Sequence, residues 1–294
     1  MIMLLEGTDS MQLSSSQFYL KDLGKDMGTS SLSKQVMIDQ IIGLQKSVAG
    51  SSAENLISIF KKLNLSSLSL AKLKSFQWNI KAQGISELGQ MLYTDSIPSI
   101  KSLINHRNQT VREEALMAMV KLDQGLSLSF LHEYYAPLSP WIAMRIFQHL
   151  SNSDKRNLPD FSQWFNHTNS DVVLFAIEMT KRFRQLNSGS KLVELLDKEK
   201  TKITAAIETL GELEIHDQAD KIVACAENHW EDIDVSRKAV TCLGKIGYSE
   251  SHWSFMAKYL SHPDYSVRFE AARALNMSGN GAKQRAYKHE RRNE

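Results

Sequence analysis

The chain has 294 residues, 42% hydrophobic and 23% charged, which supplies enough apolar surface to offset the entropy of ordering and excludes a disordered polymer. Its two cysteines, Cys225 and Cys242, lack C-x-x-C spacing, which excludes a disulfide framework and a cysteine-rich zinc site and leaves both as small buried residues of helices. The net charge is +2, with five basic residues against two acidic ones in positions 283–294, so the rest of the chain is near neutral and lacks the broad positive footprint of a phosphate binder.

In chain order, the apolar start from Met1 to Leu5 is cut off by Glu6, Gly7 and Asp9, and no later run approaches the roughly 20 apolar residues that span a bilayer. Neither a signal peptide nor a membrane helix is therefore expected. Residues 1–32 are rich in Ser and Gly and read as a mobile segment. Positions 33–48, with Val36, Ile38, Ile41, Ile42 and Leu44 on one face, and 53–63, with Leu56, Ile57, Ile59, Phe60 and Leu63, read as two amphipathic helices. They form a cap over residues 33–66, because the exposed end of a repeat array must be covered.

Residues 67–277 contain an internal period. Segments 97–106 and 158–167 superpose without a gap, with apolar residues at relative positions 1, 4, 7 and 8: Ile97, Ile100, Leu103 and Ile104, against Leu158, Phe161, Trp164 and Phe165. Pro98 and Pro159 fall in the first turn of the expected helices, where a missing N–H costs little, and Ser96 and Asn157 are the expected caps. A second helix follows each, opening at Val111 and Val172. Carried along the chain, the register gives anchors at Ile80, Val111, Trp141, Val172, Ile203, Val235 and Val267. Most residues just before an anchor (Asn79, Thr110, Asp171, Asp234 and Ser266) read as caps, and four residues after it lie Gly84, Ala115, Arg145, Ala176, Ile207, Ala239 and Ala271, mostly small enough for close helix approach. All five prolines fall at helix starts or in turns. A period near 31 with two helices per unit predicts a solenoid, since one pair cannot bury its apolar face alone.

Val111-Arg112-Glu113-Glu114-Ala115 and Val267-Arg268-Phe269-Glu270-Ala271-Ala272-Arg273-Ala274-Leu275 resemble the V-R-x-x-A-x-x-A-L opening of the second helix in short-period HEAT repeats. Lys81 replaces the arginine in the first unit, and Ile142, Val173, Thr204 and Ser236 depart from it. The resemblance implies an all-α, right-handed α-solenoid of about seven HEAT-like helix pairs with an N-terminal helical cap, the array ending near 277, and the charge-rich composition of 278–294 reads as a basic mobile tail.

His132-Glu133 and His289-Glu290 are the only His-Glu pairs, whereas the deoxyhypusine hydroxylases, themselves short-period HEAT-like proteins, need four to bind a di-iron centre. H-E-x-x-H, G-x-S-x-G and glycine-rich phosphate-loop signatures are missing, so no metal, cofactor or catalytic residue is assigned. His106, His167 and His262 recur at one point of the repeat and are read as turn-capping residues. Arg112 and Arg268 are read as pairing within or between units, as the matching arginine does in HEAT repeats. Of the five tryptophans, Trp141 and Trp164 sit on apolar repeat positions and are assigned to the core rather than to base stacking, as in HEAT-like DNA glycosylases.

In HEAT arrays the second helices line the concave face. Lys121, Arg182 and Lys245 stand at the tenth position after their anchors in alternate units, a row about 20 Å apart by helix layers of about 10 Å. They are the candidate partner-binding residues. The sequence thus reads as a non-catalytic scaffold or adaptor for an acidic, extended protein, with a HEAT-like nucleic-acid binder or glycosylase-type enzyme as the alternative. Nucleic acid is not the expected partner, and the basic tail offers peripheral contact with anionic membranes. The expected location is cytoplasmic, with membrane association as the alternative if an anchor precedes the chain.

Overall fold

The computed structural model describes residues 30–45, 47, 50–123, 127–153 and 158–290, with side chains of the final helix to Met277. It is all-α, and no strand occurs among the described residues. The chain divides into two compact units, residues 1–159 and 160–294.

The first unit contains α1 (Ser31–Gln45), α2 (Ser51–Lys62), α3 (Ser66–Leu73), α4 (Trp78–Gln90), α5 (Ile97–Lys101), α6 (Gln109–Leu122) and α7 (Pro140–Ser151). The second contains α8 (Ser170–Arg182), α9 (Gly189–Val193), α10 (Lys200–Glu212), α11 (Ala219–Asn228), α12 (Ile233–Ile246), α13 (Glu250–Lys258) and α14 (Tyr265–Glu290). Every expected second helix is present: α4, α6, α7, α8, α10, α12 and α14. Within the first unit α4 packs on α6 and α6 on α7, and within the second α8, α10, α12 and α14 pack in succession. This stacking of helices in repeat register is the HEAT-like fold. The two N-terminal helices bring Ile38, Ile41, Leu56, Ile59 and Phe60 into one buried cluster with Leu65 and Met91, which ties them to the end of α4.

The first helices differ from expectation. The segment opening at Ile97 makes one five-residue helix, and that opening at Leu158 makes no α-helix, only a 3-10 turn from Phe161 to Trp164. There Asp160 accepts from the Ser162 N–H at 3.0 Å and Phe161 N–H donates to Gln185 Oε1 at 2.9 Å, so side chains claim groups that a helix would have paired. Packing holds the turn: Trp164 is fully buried and Phe161 stacks on Phe183 with ring centroids 5.8 Å apart. Ser96 makes no side-chain cap bond but donates to the Tyr93 carbonyl, and Asn157 lies outside the described residues.

In α6, α12 and α14 the capping side chain lies three residues before the anchor rather than one. Asn108 accepts from Val111 N–H, Asp232 from Val235 and Asp264 from Val267, each at 3.2 Å. An N-cap side chain reaches the amide of the third helical residue, so each of these three anchors is that third residue, whereas Ile203 is the fourth residue of α10, whose N-cap Glu199 makes no side-chain bond. The same rule corrects the register of α7. Ser139 caps it by accepting from Ile142 N–H, so Ile142 is the anchor and is fully buried, whereas Trp141 is 67% exposed. The shift also brings buried Ile146 to the position that Arg145 had interrupted.

Gly84 meets the expectation for a small residue: a Cβ there would lie 2.7 Å from the Ser69 carbonyl oxygen and from Lys72 Cβ of α3. Successive second helices approach most closely further along. A Cβ on Gly89 would lie 2.7 Å from Ala118 Cβ, and one on Gly244 would lie 2.7 Å from Ala274 Cβ. Four helices end on a non-glycine residue in the left-handed region, at Asn64, Leu92, Arg184 and Glu214. The next N–H then turns back five residues, as in Tyr93 to Leu88 and Ile215 to Leu210, which satisfies carbonyls at the helix end.

The helix α14 runs on to Glu290, across position 278 where the sequence placed the start of a mobile tail, so no helix end marks that boundary. Residues 1–29 and 291–294 lie outside the described residues.

Candidate protein-binding surface

The repeated turns account for the histidines and arginines that the sequence singles out. Nδ1 of His106, His167 and His262 accepts the backbone N–H two residues on, at 3.1, 3.0 and 3.0 Å, and this amide belongs to the residue that caps the following helix. Each of these rings therefore carries its proton on Nε2 when neutral, and that of His262 donates to the Trp230 carbonyl at 3.0 Å. Arg112 donates to the carbonyls of His106 and Arg107, and Arg268 to those of His262 and Pro263. Both arginines brace their own turn.

In the second unit, α8, α10 and α12 carry alternating charges on partly exposed side chains. Glu178 pairs with Lys181 at 2.8 Å and with Arg182 at 2.6 Å, and Lys181 reaches Glu208 on α10 at 2.9 Å. Lys238 of α12 also pairs with Glu208, and Lys245 pairs with Glu212 at 2.6 Å. The hydrogen bond from Lys238, opposed by partial burial and reinforced by Lys181, holds the Glu208 carboxyl at about 2. Of the candidate partner-binding residues, Arg182 and Lys245 thus stand on one laced surface, each matched by a carboxylate. Lys121 belongs to α6 in the first unit. Its charge, after burial, pushes His149 of α7 below the ordinary imidazole value.

The first unit contains a polar cluster that the sequence reading missed. Glu87 of α4, only 3% exposed, accepts from Ser69 Oγ at 2.6 Å, Lys72 Nζ at 2.5 Å, and the Gln35 and Gln83 amides at 2.9 Å. Lys72 also donates to Gln35 Oε1. Three helices, α1, α3 and α4, meet on one carboxylate. A glutamate seven residues past an anchor, on the face that packs inward, was the signal available in the sequence.

Burial pushes the thiol of Cys225 up to about 11 and that of Cys242 up to about 12, which keeps both protonated. Glu133 of the first His-Glu pair is engaged by Lys101 at 2.6 Å, and the side chains of the second pair lie outside the described ones. Among the described residues no three His, Cys, Asp or Glu side chains converge as ligands for a metal, and no helix is long and apolar enough to cross a membrane.

What remains exposed and bulky is apolar. In the first unit Phe76 is fully exposed, and Trp78, Trp141 and Met144 are more than two-fifths exposed. All lie at or near the N-terminal turns of α4 and α7.

No family model matches the chain, and no curated protein matches it in sequence. Solved structures of similar fold include human deoxyhypusine hydroxylase in complex with glycerol, at 14% identity and a TM-score of 0.37 over 85% of this chain and 100% of that one. A designed armadillo repeat protein is 13% identical with a TM-score of 0.35, covering 71% of this chain and 98% of its own. Kap121p is 12% identical with a TM-score of 0.33, and the match covers 95% of this chain and 32% of Kap121p.

Proposed function

We propose that the chain is a non-catalytic scaffold or adaptor that binds another protein along its second helices. The observation that supports this reading is the repeated second helix itself. Stacking in fixed register presents side chains at intervals of about one helix layer, near 10 Å, so affinity accrues from many modest contacts along a partner. Lys121, Arg182 and Lys245 are the proposed cationic contacts, and an acidic, extended partner would substitute its carboxylates for Glu178 and Glu212 in the last two. The basic residues between Lys283 and Arg292 add contact with anionic membrane surfaces, and the proposed site of action is the cytoplasm.

A cross-linked pull-down from the native host with the whole chain tests the reading. A protein partner whose yield drops several-fold with the Lys121→Glu, Arg182→Glu, Lys245→Glu triple variant is expected. Recovery of nucleic acid or a small molecule with no protein above background would overturn it.

A further inference from the structure

We propose that the edge formed by the N-terminal turns of α4, α6 and α7 docks an acidic, extended segment of a partner protein carrying two bulky apolar side chains about six residues apart. The proposal rests on the scaffold reading and assigns it a surface and a partner chemistry.

The three helix starts share one edge because α6 packs against both α4 and α7, and because Ser139, the cap of α7, donates to Glu113 Oε1 of α6 at 2.7 Å. Trp78 opens α4 and Trp141 is the second residue of α7, with exposures of 51% and 67%. Phe76 stands free beside the first and Met144 beside the second. One exposed apolar residue is ordinary on a protein surface, whereas four on one edge mark an interaction site. Two packed helix layers separate the tryptophans by about 20 Å, which an extended chain rising about 3.3 Å per residue covers in about six residues.

Between the two apolar stations the edge is cationic. Lys81 and Arg112 hold the same position, one residue past the anchors of the adjacent helices α4 and α6, and Arg107 lies exposed in the turn that leads into α6. Arg112 Nη1 donates to the carbonyls of His106 and Arg107 at 2.9 and 3.0 Å, which holds its guanidinium against that turn. Burial and then the charge of Lys81, with Arg107 and Arg112 adding to them, push His106 below its ordinary value.

Of the carboxylates nearby, one faces a cation and the other is held by neutral donors. Glu113 accepts from Ser139 and Gln109, and Glu114 faces Arg145 at 3.9 Å. Lys81 and Arg107 form no ion pair among the described residues. This is the opposite of the laced surface of the second unit, where Lys181, Arg182, Lys238 and Lys245 are all paired, sharing the carboxylates of Glu178, Glu208 and Glu212. A positive edge with tryptophan anchors at both ends complements an acidic peptide. Aromatic anchors carry most of the energy in such interfaces, and the charges set register and on-rate.

A random 16-residue peptide library selected on the immobilised full chain tests the proposal, with the enriched peptides then measured by fluorescence anisotropy. Enrichment of Asp- and Glu-rich sequences with two bulky apolar residues five to seven positions apart is expected. Their affinity should fall at least tenfold with Trp78→Ala, with Trp141→Ala and with the Lys81→Glu, Arg107→Glu double variant, and stay unchanged with Arg237→Glu in the second unit. Circular dichroism of each variant guards against unfolding. Enriched peptides that bind the edge variants as well as the parent would overturn the proposal while leaving the scaffold reading in place. No enrichment, or labelled duplex DNA bound more tightly and lost with the same variants, would also overturn it, and the host pull-down then decides the scaffold reading separately.

Discussion

The two units handle the same kind of ion pair in opposite environments. In the first, Lys72 and Glu87 meet inside the helix packing, with side chains 11% and 4% exposed, and further hydrogen bonds from Gln35, Ser69 and Gln83 complete the carboxylate. In the second, Lys181, Glu208 and Lys238 meet on the surface, where water screens them. The difference teaches that position decides what a pair does. A buried pair is costly to break because the survivor keeps its desolvated charge, whereas a surface pair contributes little and its partners can be exchanged.

The largest expected effect follows from breaking each pair in turn. Glu87→Ala leaves Lys72 buried without its carboxylate and should cost about 3 to 5 kcal/mol in urea denaturation. Glu208→Ala should cost no more than about 1 kcal/mol. Equal losses would remove the contrast between the units.

Two tryptophans sharpen it. Trp164→Ala empties a fully buried site in the second unit and should cost about 3 to 5 kcal/mol, whereas Trp141→Ala on the exposed edge of the first should stay within about 0.5 kcal/mol. A large loss at Trp141 would restore the register in which it, rather than Ile142, is the anchor.

A smaller gain is expected at the ends of the second helices. Glu214 is exposed and sits at φ 57°, a conformation that costs a side chain about 1 to 2 kcal/mol and glycine almost nothing. After subtracting glycine's entropy cost of about 0.5 to 1 kcal/mol, Glu214→Gly should stabilise the protein by about 0.5 to 1 kcal/mol, read as a higher denaturation midpoint.

The smallest effect is one of pH. Glu208 is held from 4.5 down to about 2 in the folded chain, so its contribution is present above pH 4.5 and is lost as pH falls towards 2. The wild type should therefore lose more stability than Glu208→Gln over that interval. Parallel curves for the two would show that the surface lattice contributes nothing.

Much of the fold was legible because helix stacking repeats the same problem in every unit. A β-branched anchor near each 31st residue marks the buried start of a second helix, and all seven such helices formed. The first helices were less legible, since α5 and the turn from Phe161 to Trp164 are too short for a 3.6-residue period to establish itself. At the candidate surfaces, Lys121, Arg182 and Lys245 could be placed on helices by counting, but the carboxylates Glu178 and Glu212 beside the last two could not. Arg182 meets its partner within one helix, while Lys245 meets Glu212 across two, and only the second pairing requires knowing which helices pack.

The sequence by itself determined the all-α class, the helix-pair period, the turn-capping role of His106, His167 and His262, and the packing role of the cysteines. Each follows from local periodicity or composition. Tertiary structure decided which of Trp141 and Ile142 faces inward, because a one-residue shift turns a helix by about 100° and both neighbours are apolar. It also decided that Glu87 is buried and Glu208 is not, since burial depends on what packs against a helix face.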